Sequence, residues 1–118
     1  MSDYDRTADE VNDASAELTR SHPGAMKGFK ALGAAAYADG ALSRKTKELI
    51  ALALSIASRC DGCVAYHARR VSELGVERPE VVETIGVAIQ MGGGPSMVYG
   101  GEALRAFDSF STATLAAE

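Results

Sequence analysis

Residues 49–57, LIALALSIA, contain a single polar side chain, Ser55, and this run constrains the chain more than any other segment. Lys45, Thr46, Lys47 and Glu48 lead into it, and Ser43 is well suited to cap the helix they begin. A helix that is apolar on nearly every side has to be enclosed, so the run is expected to be buried on most faces. It is far shorter than the roughly 18 apolar residues that a bilayer span requires, and no other stretch reaches that length. Protein must therefore do the enclosing. With 118 residues there is room for one domain, taken as 1–118 with no linker long enough to divide it.

The enclosing elements read as helices. Hydrophobic residues make up 47% of the chain but aromatic ones only 6%, and a mass of Ala, Leu, Val and Ile suits close-packed helices better than a β-sandwich. The strict alternation that marks strands is missing. Tyr4, Val11, Ala14 and Leu18 form a loose apolar stripe over 3–19, and Ser21, His22 and Pro23 end that helix and begin another over 24–38. His22 is read as a capping or surface residue. Asp39 and Gly40 make a turn. Residues 59–63 form a boundary at which Asp61 is expected to cap the next helix, and Gly75 is a natural stop for it. Pro79 opens a fifth helix, 91–95 break it, and 96–110 form the sixth, leaving 111–118 as a tail. The prediction is an all-α bundle of about six helices. So many apolar faces on so short a chain are most easily covered by further copies of it.

A net charge of −4 disfavours nucleic acid and anionic membrane as partners. The polar, acidic first residues are the reverse of a secretion signal, so a cytoplasmic protein is expected. In that compartment thiols stay reduced, and two cysteines are not expected to serve as a structural staple.

Those cysteines are Cys60 and Cys63, in the sequence Cys-Asp-Gly-Cys. At i and i+3 on a helical turn, two sulfurs lie within reach of a disulfide after small adjustment. In the first turn of the helix that follows, backbone N–H groups favour the Cys63 thiolate, the attacking form in thiol–disulfide exchange and peroxide reduction. Arg59 adds positive charge nearby, and Asp61 opposes it. His67 stacks one turn beyond Cys63, placed to take the thiol proton, and Glu48 could orient the imidazole. Along a straight helix, however, Glu48 would sit about 18 Å from Cys60, so spacing alone does not bring it to His67. Two other readings of these residues stay open: small buried hydrophobes, or ligands of a zinc ion. Tyr66 is expected to point away from the site. Gly92, Gly93 and Gly94 lack the Lys-Ser/Thr pair of a phosphate cradle and read as a helix break.

Glu48, Cys60, Cys63 and His67 together spell Glu-x11-Cys-x2-Cys-x3-His, set in RKTKELIALALSIASRCDGCVAYHARRVSELGV. That pattern resembles the alkylhydroperoxidase D-like branch of the carboxymuconolactone decarboxylase family, over roughly residues 24–110. The resemblance implies an all-helical fold assembled as trimers or hexamers, and a peroxidase-type dithiol that needs no metal or other cofactor. Carried over by position, Cys63 would attack a hydroperoxide and become a sulfenic acid, Cys60 would resolve it as a disulfide, and Glu48 with His67 would relay the proton. It also implies a dithiol reductant, in some relatives a lipoyl-bearing protein. This chain has Gly62 where peroxidase members often place histidine before the second cysteine. Two alternatives accompany this reading: a lactone decarboxylase, as in the branch of the family that does without the dithiol, and a helical oligomer that senses redox state without turnover.

Overall fold

A computed structural model describes the backbone of residues 2–117 and the side chains of residues 2–112. Six helices follow one another: α1 (Asp3–Ser21), α2 (Pro23–Tyr37), α3 (Arg44–Ala57), α4 (Asp61–Glu73), α5 (Arg78–Gly92) and α6 (Gly94–Ala117), with no strand among the described residues. The expected tail is instead a continuation of α6, which runs unbroken through 111–117.

Local chemistry explains most of the boundaries. At the start of α1, the Ser2 hydroxyl accepts from the Asp5 N–H at 3.1 Å, while the Asp5 carboxylate accepts from the Ser2 N–H at 3.0 Å. The Ser2 hydroxyl also donates to that carboxylate at 2.8 Å, and this bond with the one from the Ser2 N–H holds the Asp5 carboxyl below its usual range. His22 joins α1 to α2: its N–H donates to Leu18 O at 2.7 Å, and its ring Nδ1 accepts from the Ala25 N–H at 3.3 Å, with Pro23 opening the new helix. Ser43 caps α3 as expected, accepting from the Thr46 N–H at 3.2 Å. The break between α5 and α6 is one residue wide, Gly93 at φ 73°, a conformation that costs glycine little.

The core lies among α3, α4, α5 and α6, where Leu52, Ile56, Val64, Val71, Val81, Ile85 and Phe107 are buried. Gly100 lets α5 and α6 approach closely, since a Cβ there would come within 2.7 Å of Ile85 Cγ2. Outside this core, α1 lies across α4 and buries only Ala8; Leu18 on its expected apolar stripe is exposed. Arg69 ties α4 to α1 through Asp9 at 3.2 Å, and the Tyr4 hydroxyl donates to Glu102 on α6 at 2.7 Å. α2 packs along α1 and α3 and buries no side chain, leaving Phe29 and Leu32 about two-thirds exposed. The expectation for 49–57 also needs correcting. Leu52, Ser55 and Ile56 are buried, but Ile50 and Leu54 are exposed on a face of α3 that is left open among the described residues.

Candidate active site

Cys60 lies where α3 turns back into α4. Ser58 closes α3, and Arg59 takes the left-handed conformation at φ 55°, unusual for a residue with a Cβ. The Arg59 N–H donates to Ile56 O at 3.1 Å and the Cys60 N–H to Ser55 O at 3.2 Å, which fixes the reversal. Cys60, not Asp61, is the N-cap of α4: its sulfur accepts from the Cys63 N–H at 3.2 Å. The Asp61 carboxylate acts instead on Tyr99 of α6, whose pKa it raises.

The two sulfurs form a disulfide across a Cα–Cα distance of 5.2 Å. Cys63 is exposed and Cys60 half-buried. Among the described residues no group of three or more His, Cys, Asp or Glu side chains is placed to hold a metal ion.

The reversal at 58–60 folds α4 back along α3, and this brings Glu48 opposite His67 within one chain. Glu48 is 2% exposed, and its Oε2 lies 2.7 Å from His67 Nδ1. An ionised carboxylate can only accept, so the bond runs from Nδ1–H to Glu48, and in the neutral imidazole Nε2 is then the nitrogen with a lone pair. Among the described residues no hydrogen bond joins His67 to either sulfur.

Two tyrosines flank the imidazole. The Tyr66 ring meets it edge-on at 5.1 Å between centroids, contrary to the expectation that Tyr66 points away, because a long ring can lean back over its neighbour. Tyr37, the last residue of α2, lies 6.2 Å away at a tilt. Burial, then the nearby Glu48 carboxylate and Tyr66, raise the Tyr37 pKa. Nothing in the sequence links position 37 to position 67; only the fold of α2 against α3 brings them together.

Gly62 also finds its reason here. A Cβ at this position would lie 2.8 Å from Val11 Cγ2, closer than side chains pack, so any larger residue at position 62 has to shift the Val11 side chain.

Known proteins are similar to the chain in sequence and in fold. The sequence model of the carboxymuconolactone decarboxylase family matches residues 23–116. An uncharacterized protein of Cupriavidus necator is 36% identical over 102 residues, covering 86% of this chain and 90% of its own length. The crystal structure of an apo carboxymuconolactone decarboxylase family protein from Legionella pneumophila superposes with a TM-score of 0.90 at 44% identity, covering 92% of this chain and 96% of that one. A family member from Thermotoga maritima, described as a candidate for a part in antioxidative response, gives a TM-score of 0.83 at 26% identity, covering 96% of each chain.

Proposed function

The chain belongs to the carboxymuconolactone decarboxylase family, and on that footing we propose that it is an antioxidant thiol peroxidase of the alkylhydroperoxidase D-like type. One observation carries the reading: the disulfide Cys60–Cys63 opens α4, and one turn further along the same helix His67 is held by the buried carboxylate of Glu48 at 2.7 Å. The antioxidative description of the Thermotoga relative points the same way.

In the dithiol form, His67 Nε2 takes the Cys63 thiol proton, directly or through water, and Glu48 stabilises the imidazolium. The exposed Cys63 thiolate attacks the peroxide oxygen. The O–O bond breaks, Cys63 becomes a sulfenic acid, and the alkoxide takes the proton from His67 to leave as alcohol. Cys60 then attacks the Cys63 sulfur, an S–S bond forms, and water departs. Two electrons have passed from the dithiol to the peroxide. An external dithiol, such as a lipoylated protein, returns them by exchange, and cytoplasmic thiol chemistry supplies a suitable setting. No helix among the described residues is long and apolar enough to cross a membrane.

A stoichiometric pulse of tert-butyl hydroperoxide on the reduced protein is expected to remove both thiols of each chain and restore the disulfide mass, with recovery on adding dithiothreitol. An unchanged thiol count removes the proposal.

The working form is a trimer or hexamer. Phe29 and Leu32 on α2, with Ile50 and Leu54 on α3, present apolar surface that is exposed among the described residues. Light scattering that gives the mass of a single chain at micromolar concentration overturns this assembly.

A further inference from the structure

Along α2, Met26, Gly33 and Tyr37 are half-buried on one stripe at i, i+7 and i+11, and the other residues are exposed. Tyr37 is the large side chain at the end of the helix nearest the site. Its ring meets the His67 imidazole at 6.2 Å between centroids, with 37° between the planes. Tyr66, on the helix of His67 itself, meets the same imidazole edge-on at 5.1 Å. The imidazole therefore has a ring from α2, a ring from α4 and the Glu48 carboxylate from α3 around it, and its side chain is only 17% exposed. The residues after Tyr37 are tied to the α3 turn that leads into Glu48. Ala38 O accepts from Lys47 Nζ at 2.5 Å, and Asp39 Oδ1 accepts from the Arg44 N–H at 2.7 Å. These two bonds set Tyr37 in register with Glu48, although α2 itself is loosely packed. Burial, then the Glu48 charge and Tyr66, raise the Tyr37 pKa, so the ring stands beside the pair as an uncharged phenol.

We propose that Tyr37 is a positioning residue of the dithiol site: its ring, with that of Tyr66, holds the His67 imidazole on the Glu48 carboxylate. The proton then stays at Nδ1, and the Nε2 lone pair stays available to the Cys63 thiol. The inference rests on the peroxidase reading above for its effect on rate, and on the ring contacts for its geometry. An imidazole turned halfway about its Cβ–Cγ bond offers Glu48 a carbon where Nδ1 had been, and the preference for one tautomer is lost. Flanking rings occupy the space through which that rotation sweeps, and aromatic neighbours favour edge-on and offset arrangements, which gives the imidazole a preferred plane. A proton acceptor displaced by a fraction of its own width loses much of its effect on rate. The contact belongs to the ring of Tyr37, so phenylalanine reproduces it and alanine does not.

Thiol loss driven by tert-butyl hydroperoxide is expected to slow about tenfold in Tyr37→Ala and to recover to within about threefold of the wild type in Tyr37→Phe. In a Glu48→Leu background, Tyr37→Ala is expected to slow the reaction no further, because the ring acts through a pair that is already broken. The same tenfold loss in that background overturns the proposal. Long-range proton–nitrogen spectra of the disulfide form read the imidazole directly. The chain has two histidines, and His22→Asn assigns their signals. At mildly alkaline pH the wild type and Tyr37→Phe are expected to show Nδ1 of His67 protonated and Nε2 bare, and Tyr37→Ala to show the two nitrogens averaged. An alanine variant that keeps the wild-type spectrum overturns the proposal. So does averaging in the wild type itself, which decides the matter even if Tyr37→Ala does not fold. A phenylalanine variant as slow as alanine assigns the role to the hydroxyl and overturns the part given to the ring. The expected spectra without thiol loss in the wild type leave the positioning of His67 standing and remove the peroxidase reading.

Discussion

Cys63→Ser is expected to lose peroxide reduction by at least about 10³-fold, because a serine hydroxyl stays protonated where a thiolate would form. Cys60→Ser is expected to behave differently. Its Cys63 still attacks, so one equivalent of peroxide is consumed, and a sulfenic acid then accumulates that a dimedone-type reagent can label and mass spectrometry can locate. The asymmetry follows from position: Cys63 is exposed in the first turn of α4, whereas Cys60 is half-buried at its cap. Loss of the cross-link is a secondary matter. A loop this short contributes only about 2 kcal/mol in the chain-entropy account, and both variants lose it equally. Labelled sulfenate at Cys60 in the Cys63→Ser protein would reverse the assignment of the two sulfurs.

Glu48→Leu carries the second large effect. Glu48 is buried, and its carboxylate faces His67 Nδ1 at 2.7 Å. Leucine fills similar space but offers no acceptor, so the imidazole loses both its orientation and the charge that supports its protonated form. Peroxide-driven thiol loss is expected to slow on the order of 10²-fold, the usual worth of a positioned acid–base group. Glu48→Gln retains a hydrogen-bonding side chain and is expected to fall between leucine and the wild type. Thermal melts separate this from unfolding: a leucine variant that melts near the wild type yet reacts slowly implicates the pair in the chemistry. Thiol loss within twofold of the wild type in the leucine variant would sink the relay.

The boundaries and the reactive residues are the most legible parts of the sequence, because each depends on near neighbours. Ser43, Pro23, Gly75 and Gly93 act through their own backbone or through residues three or four away. The same holds for Cys60, Cys63 and His67 on a single turn and the next. The family pattern names the pairing of Glu48 with His67, but spacing does not reach it, since the pairing depends on how tightly the chain reverses at 58–60. Asp61 has the chemistry of a cap and does not act as one, because the helix begins one residue earlier and the Cys60 sulfur takes the Cys63 N–H. The role of Gly62 is invisible in sequence for a similar reason: Val11, fifty-one residues earlier, occupies the space beside it. Uniform hydrophobicity over 49–57 gives no sign of which face the chain itself leaves bare, and Ile50 and Leu54 stand on that face.

Glu48 and His67 stand nineteen positions apart, and both cysteines fall between them. All four reactive groups therefore belong to a single helical hairpin, α3 with α4, whose closure involves little chain. From outside the hairpin, the tyrosine at the end of α2 reaches the imidazole. Such a division keeps the disulfide and the Glu48–His67 pair on one short stretch of chain, so that changes confined to the other helices leave the pairing of those four residues in place.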